Sequence, residues 1–232
     1  MAMADANFER GRALGLQGDS EGAIAAFKKA LQDEPEHASA NLGLGIACME
    51  LERTKDAVNA FRASLKTAPH NPATLYNLGV ALDQHTQKSK VSEKKLKAML
   101  LEAEYALTAA CALDPCADSS CQLGVVLLRL GKPRQAVEAF EKALAADPQH
   151  ATATENLRTF EAAHMTGPST EALDAAIAAE PQKVFRPPPR VVEAWSDVPV
   201  EQEEHPVSSL SEAANLGQKL DELLATGDDL EF

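Results

Sequence analysis

The sequence contains few aromatic residues, which make up 4% of its 232 positions. Its core must therefore consist mainly of Ala, Leu and Val, and this composition, with few β-branched runs, favours helices. No apolar run approaches the length of a membrane span, and the N-terminal stretch MAMADANFERGR lacks the apolar region of a secretory signal. We therefore expect no membrane span and a cytoplasmic location; the nucleus, or a compartment continuous with the cytoplasm such as a cilium, is also compatible with these features.

Basic residues are scarce as well. The chain has 22 Lys and Arg against 35 Asp and Glu, which gives a formal net charge of −13. A charge of this sign disfavours a broad phosphate-binding surface, so we expect no nucleic-acid partner.

The sequence also lacks the residue patterns of metal-binding and catalytic sites. No Cys-x-x-Cys pair is present, so we expect free thiols and no metal site. The four cysteines are Cys48, Cys111, Cys116 and Cys121. No Ser, His and carboxylate form a recognisable nucleophile arrangement, and no glycine-rich phosphate loop is present. We therefore predict that the chain is not an enzyme and needs no cofactor.

What the sequence does contain is an internal repeat. Small and aromatic residues recur at intervals of four, three and five residues before a proline, and the prolines are separated by 34, 46, 33 and 33 residues. The copies are Ala23, Phe27, Ala30 and Pro35; Ala57, Phe61, Ser64 and Pro69; Ala103, Leu107, Ala110 and Pro115; Ala136, Phe140, Ala143 and Pro148; and Leu173, Ala176 and Pro181. Leu-Gly pairs precede three of them, at 44–45, 78–79 and 123–124.

Each unit is thus predicted to be a helix, a short turn, a second helix and a proline. This pattern resembles the tetratricopeptide repeat, because Leu-Gly, Ala, Phe and Pro recur at the same relative positions in successive units. The resemblance implies an all-α fold, a right-handed α-solenoid of helix-turn-helix repeats over residues 1–181. The repeats fall at about 4–37, 38–71, 72–116, 117–150 and a degenerate 151–181.

The third repeat is predicted to carry an insertion near residues 83–97. The prolines that bound it are about a dozen residues further apart than those of the other repeats. The insertion is rich in lysine: Lys88, Lys90, Lys94, Lys95 and Lys97. Two interpretations remain open, a solvated segment that lengthens the helices of this repeat or a projection that docks an acidic partner.

The chain changes character after residue 181. Residues 182–232 hold four basic and eleven acidic residues and three consecutive prolines, which predicts a largely disordered acidic tail. Within it, residues 209–226 are predicted to form an amphipathic helix with a leucine stripe. Its leucines are Leu216, Leu220 and Leu223. This helix could cap the array of its own chain or enter the groove of another protein.

The resemblance also implies a binding surface, because in such arrays the first helix of each pair lines a concave groove. The groove positions carried over to this sequence are mainly apolar: Phe8, Arg12, Leu42, Ile46, Met49, Tyr76, Val80, Asp83, Val125 and Leu128, accompanied by Cys121, Glu155 and Thr159. Such a surface suits an amphipathic helix or an extended apolar peptide. The alternative is that some of these side chains are buried between helices.

One branch of the family binds the acidic C-terminal peptide of chaperones through a clamp of Lys, Asn and Arg. The clamp positions here hold Phe8 and Arg12, then Gly43, then Ala73 and Asn77. The clamp is essentially missing, so we predict that a chaperone peptide is not the ligand.

Together these features predict a non-catalytic adaptor or scaffold that binds other proteins through its groove and also through its tail. The alternative is a chaperone-like assembly factor that holds a client segment while the tail helix competes for the groove. A third hypothesis is a subunit that positions a catalytic partner.

Overall fold

The computed structural model describes the backbone of residues 2–166 and the side chains of residues 3–160, and all regular structure in that range is helical. The helices are α1 (Ala2–Leu16), α2 (Ser20–Asp33), α3 (Ala38–Glu50), α4 (Thr54–Thr67), α5 (Pro72–Lys88), α6 (Glu93–Leu113), α7 (Ala117–Arg129), α8 (Pro133–Ala146) and α9 (Ala151–Thr166). The predicted all-α fold of paired helices is confirmed.

The chain divides into two compact units. Unit 1 contains α1 to α5 and ends at Ser89, whereas unit 2 contains α6 to α9 and begins at Lys90. Within them α1 packs on α2, α3 on α4 and α7 on α8, as expected for helix-turn-helix repeats. The second half of the fifth repeat and the whole tail, including the predicted helix 209–226, lie outside the described residues.

The turn inside each of three repeats has the same geometry. Gly18, Glu52 and Gly131 have φ angles of 79°, 58° and 70°, in the left-handed region. The following amide donates to a carbonyl five residues back, for example Arg53 N to Cys48 O at 2.8 Å. This hydrogen bond closes a Schellman motif, which usually places glycine at the left-handed position. Glu52 therefore occupies a position that two of the repeats fill with glycine.

The connections between repeats are fixed by side chains that cap the next helix. His37 Nδ1 accepts from Ala40 N at 3.2 Å, and Asn71 Oδ1 accepts from Thr74 N at 2.8 Å. His150 Nδ1 accepts from Ala153 N at 3.1 Å in the same way. All three residues follow a repeat proline by two positions. The same position of the repeat therefore caps the first helix of three repeats and gives one of its N-terminal amides a hydrogen-bond acceptor.

The mid-helix glycines permit the close helix approach that their recurrence predicts. A Cβ atom on Gly124 would lie 2.5 Å from Cε1 of Phe140, and one on Gly45 would collide with Phe61. Both phenylalanine rings are fully buried, as is Phe27. The first helix of each of these repeats therefore rests directly on the aromatic ring of its partner helix.

The insertion of the third repeat is largely helical. Helix α5 has 17 residues and α6 has 21, against 13 to 15 in the first four helices, α7 and α8. Residues Asp83 to Lys88 continue α5, and Ser92 caps α6 through Lys95 N at 3.4 Å. The lysines of the insertion thus lie at the end of α5, in the short connection and in the first turns of α6.

Candidate functional site: the groove faces of the first helices

The orientation of α3 shows which of its side chains face away from the second helices. Gly43 lies against Phe27 of α2, and Gly45 lies against Phe61 of α4. Successive residues are rotated by about 100° around a helix, so Leu44 lies midway along the wider of the two arcs that separate Gly43 from Gly45. Leu42 and Ile46 are each about 200° from Leu44 and point to the opposite side. We call this side, together with the corresponding side of α1 and α5, the groove face of unit 1.

Most of the predicted groove residues of unit 1 lie on this face and are buried there. Leu42 and Ile46 are each 1% exposed, and Met49 and Val80 are also buried. Tyr76, at the repeat position of Leu42, is partly exposed. The burial of the aliphatic side chains means that this conformation does not offer them to a ligand. Their part in peptide binding stays a prediction.

The predicted groove residues of α1 have different surroundings. The Phe8 ring lies 5.0 Å from the His37 ring and 6.1 Å from the Phe27 ring, between centroids, and it is buried. It thus packs on α2 and on the connection to α3. Arg12, partly exposed, forms an ion pair with Glu9 at 3.1 Å. Of the two, only Arg12 is placed to meet a ligand in this conformation.

Carboxylates accompany the apolar side chains of the groove face. Asp83 is fully buried and accepts a hydrogen bond from Gln87 Nε2 at 2.9 Å. Glu50, at the end of α3, accepts a hydrogen bond from the hydroxyl of Ser20. The hydrogen bond from Gln87 offsets part of the cost of burying the Asp83 carboxylate.

Unit 2 has an equivalent groove face on α7. Val125 and Leu128 are 2% and 1% exposed and belong to one apolar cluster with Cys121, against which Leu157 and Phe160 of α9 pack. These predicted groove residues of the fourth repeat are thus core residues of unit 2 in this conformation. Of the accompanying residues in α9, Glu155 is exposed and Thr159 is partly exposed.

Unit 2 also contains polar groups that the sequence did not single out as a site. His150 Nε2 lies 3.0 Å from Asp118 Oδ1, and its other ring nitrogen caps α9. The capping role of His150 could be predicted from its position in the repeat. Its contact with Asp118 joins residues 32 positions apart, so only the folded structure reveals it. The side-chain amide nitrogen of Asn156 is buried without a hydrogen-bond partner.

Three of the four thiols have a raised pKa. Burial raises the pKa of Cys48 to about 11, with a further increase from the nearby Asp56, and burial raises the pKa of Cys121 to about 12. Burial also raises the pKa of Cys111. Within residues 3–160, no group of three or more His, Cys, Asp or Glu side chains is arranged to hold a metal ion. In the part of the chain that the structure describes, no helix has the length and apolarity needed to span a membrane.

Comparisons with known proteins agree with the repeat assignment. Family models described as tetratricopeptide repeat match residues 8–72 and 117–150. No curated protein sequence matches the chain. A solved structure of MamA is 24% identical and covers 81% of this chain and 93% of its own, with a TM-score of 0.57. PilF of Pseudomonas aeruginosa is 20% identical, with coverages of 97% and 85% and a TM-score of 0.58.

A third solved structure, a tetratricopeptide-repeat protein of Thermus thermophilus, is 20% identical with a TM-score of 0.55; the match covers 84% of this chain and 98% of that protein. At these identities the structural likeness shows a shared fold. Combined with the two matched segments and the repeated Gly–Phe contacts, it identifies the chain as a tetratricopeptide-repeat protein.

Proposed function

We propose that this protein is a non-catalytic adaptor or scaffold whose groove face binds an apolar or amphipathic segment of another protein. The repeat family implies protein–protein interaction in general terms. The observation that supports the finer proposal is the second apolar stripe of α3. A helix that packs on one layer of helices needs one apolar stripe, and α3 already has Ala40, Leu44 and Ala47 on the side of α2 and α4. Leu42 and Ile46 add apolar surface on the other side.

The side chains of the groove face limit the kinds of ligand that it can bind. Aliphatic side chains give affinity without direction, whereas Arg12 and Tyr76 at partly exposed positions can fix orientation through polar contacts. We place this activity in the cytoplasm, in keeping with free thiols.

The test is a comparison of partners captured by two full-length double variants. Ala73→Glu with Tyr76→Glu adds two negative charges to partly exposed positions of the groove face. Asn59→Glu with Thr67→Glu adds the same charge to exposed positions of α4 and serves as the matched control. Circular dichroism establishes that both variants are folded. We expect the groove variant to lose the partners that wild type and control retain. Equal retention by all three proteins would move binding to the tail or to the lysines of the insertion.

The second candidate is a chaperone-like assembly factor that holds a client segment while the tail helix, residues 209–226, competes for the groove. Because Leu42 and Ile46 are buried, a client would reach them only after the groove face opens, which suits a factor that binds its client transiently. Client exchange distinguishes the candidates, since a scaffold forms a stable stoichiometric complex and an assembly factor releases its client rapidly. A complex that survives size-exclusion chromatography with fixed stoichiometry would exclude this candidate.

A further inference from the structure

We infer that Cys111 and Cys116 form a reversible disulfide when a hydroperoxide oxidises this protein. The bond ties the last turn of α6 to the start of α7, within unit 2. None of the predicted groove residues takes part in this modification site, which lies beyond the proposed function.

Cys116 occupies a capping position without capping the helix that follows. It directly precedes α7, as His37, Asn71 and His150 directly precede α3, α5 and α9. Those three side chains each accept a hydrogen bond from a backbone amide of the following helix, whereas the Cys116 side chain accepts none. A capping role therefore does not explain the cysteine at this position.

Both thiols contact the first turn of α7. Cys116 Sγ lies 3.1 Å from Ser119 Oγ, and Cys111 Sγ lies 3.8 Å from Ser120 Oγ. The Cys111 thiol also hydrogen-bonds the side chain of Ser119, so one hydroxyl group contacts both sulfur atoms. Because the two cysteines share this neighbour and only four residues separate them, side-chain rotation and a local shift of the connection bring the sulfur atoms to the bonded distance of about 2.0 Å.

Exposure distinguishes this pair from the other two thiols. Cys111 and Cys116 are partly exposed, whereas Cys48 and Cys121 are buried. Burial raises the pKa of Cys48 to about 11 and the pKa of Cys121 to about 12, which keeps both thiols protonated at neutral pH. Burial also raises the pKa of Cys111, with a smaller increase from the neighbouring Cys116. Cys116 is therefore the thiol that the hydroperoxide oxidises first, and Cys111 resolves it.

The oxidation takes place in two steps. The Cys116 thiolate attacks one oxygen of the hydroperoxide and the O–O bond breaks, which leaves a sulfenic acid on Cys116 and releases an alcohol, or water when the oxidant is hydrogen peroxide. The Cys111 thiolate then attacks the Cys116 sulfur, the S–O bond breaks, and the departing hydroxide takes up a proton to become water. The two thiols together lose two electrons, which reduce the hydroperoxide. A dithiol reductant reverses the bond by thiol–disulfide exchange.

The disulfide acts on the connection between the third and fourth repeats. Asp114 N donates to Ala110 O at 2.8 Å at the end of α6, and Ser120 N donates to Cys116 O at 3.2 Å at the start of α7. A covalent bond from Cys111 to Cys116 spans both of these helix ends, so local opening of the connection becomes rarer. Oxidation thus stiffens the junction between α6 and α7.

Mass spectrometry of the full-length protein tests the cross-link. A protease that cleaves before aspartate places Cys111, Cys116 and Cys121 on three different peptides, because Asp114 and Asp118 separate them. The protein is treated briefly with hydrogen peroxide, its remaining thiols are alkylated in denaturant, and it is digested without reductant. We expect the Cys111 and Cys116 peptides to be joined with the loss of two hydrogen atoms, and to separate after treatment with dithiothreitol.

The buried thiols serve as internal controls. The joined form of Cys111 and Cys116 should exceed the oxidised forms of Cys48 and Cys121 by at least about tenfold. Conversion of Cys116 to sulfinic or sulfonic acid while Cys111 is still alkylated would overturn the inference, as would full alkylation of both thiols. Joined peptides that occur only in covalent dimers on a non-reducing gel would contradict a bond within one chain.

Variants test the assignment and its effect. Cys116→Ser should abolish the cross-link, and Cys48→Ala, the matched control, should keep it. Hydrogen exchange of the Ser120 amide should slow several-fold on oxidation of the wild type and should not change in Cys111→Ser. A cross-link to Cys111 that persists in Cys116→Ser contradicts the assigned pair. Equal exchange rates before and after cross-linking contradict the stiffening of the junction.

Discussion

The contact between Gly124 and Phe140 allows a quantitative test of the repeat packing. In Gly124→Ala the new Cβ would lie 2.5 Å from Cε1 and 2.8 Å from Cδ1 and Cζ of the ring. Ordinary contacts between carbon atoms are about 3.5–4.0 Å, so α7 and α8 must separate or the ring must rotate. Phe140 is fully buried, so any movement of its ring must displace neighbouring side chains.

Overpacking of this kind costs about 1–3 kcal/mol, while replacing glycine by alanine within a helix gains about 1 kcal/mol. We therefore expect Gly124→Ala to lower the free energy of unfolding by up to about 2 kcal/mol. The assay is urea denaturation followed by far-UV circular dichroism, with an unchanged m value showing that the unfolded state is unaffected.

A double-mutant cycle isolates the contact. In a Phe140→Leu background the smaller side chain leaves room for a methyl group, so Gly124→Ala should there be neutral or stabilising by up to about 1 kcal/mol. The coupling free energy between the two substitutions should be about 1–3 kcal/mol. Stabilisation by Gly124→Ala in the wild-type background would refute the close approach of the two helices.

Five further outcomes follow from the structure. Phe61→Ala should lower the free energy of unfolding by about 3–5 kcal/mol, and an unchanged melting temperature would contradict its place in the core. Glu52→Gly should raise the free energy of unfolding by about 0.5–1 kcal/mol, because glycine adopts the left-handed φ without strain. The exposed ion pair with Lys88 that is lost contributes little. A lower stability of the variant in urea denaturation would contradict this. His150→Ala should cost about 1–2 kcal/mol, and His150→Asn, which keeps the cap, about half as much in the same assay. Iodoacetamide should alkylate the partly exposed Cys116 before Cys48, as read by mass spectrometry. Because the unfolded Cys48 thiol deprotonates near 9.0 and the folded one near 11, its contribution to stability should decline as pH rises above about 9, and Cys48→Ala should lessen that decline.

The repeat architecture could be predicted from sequence because the residues that form the same contacts recur in successive repeats. Gly45 with Phe61 and Gly124 with Phe140 occur at one spacing, so a single physical explanation, a helix resting on a ring, accounts for both. The helical caps are local too, since a side chain two positions after the proline bonds an amide three residues further on. Signals of this kind do not depend on how distant parts of the chain meet.

The burial of the groove positions could not be predicted in the same way. Their spacing shows which side of a first helix they occupy but not what lies over that side. The repeat register places Phe8 in the groove, yet its ring packs on Phe27 and His37, because α1 turns this side chain towards α2 and the connection to α3. Likewise, the position of Val125 in the repeat is that of a groove residue, but in the structure it belongs to the apolar cluster of unit 2, against which α9 packs.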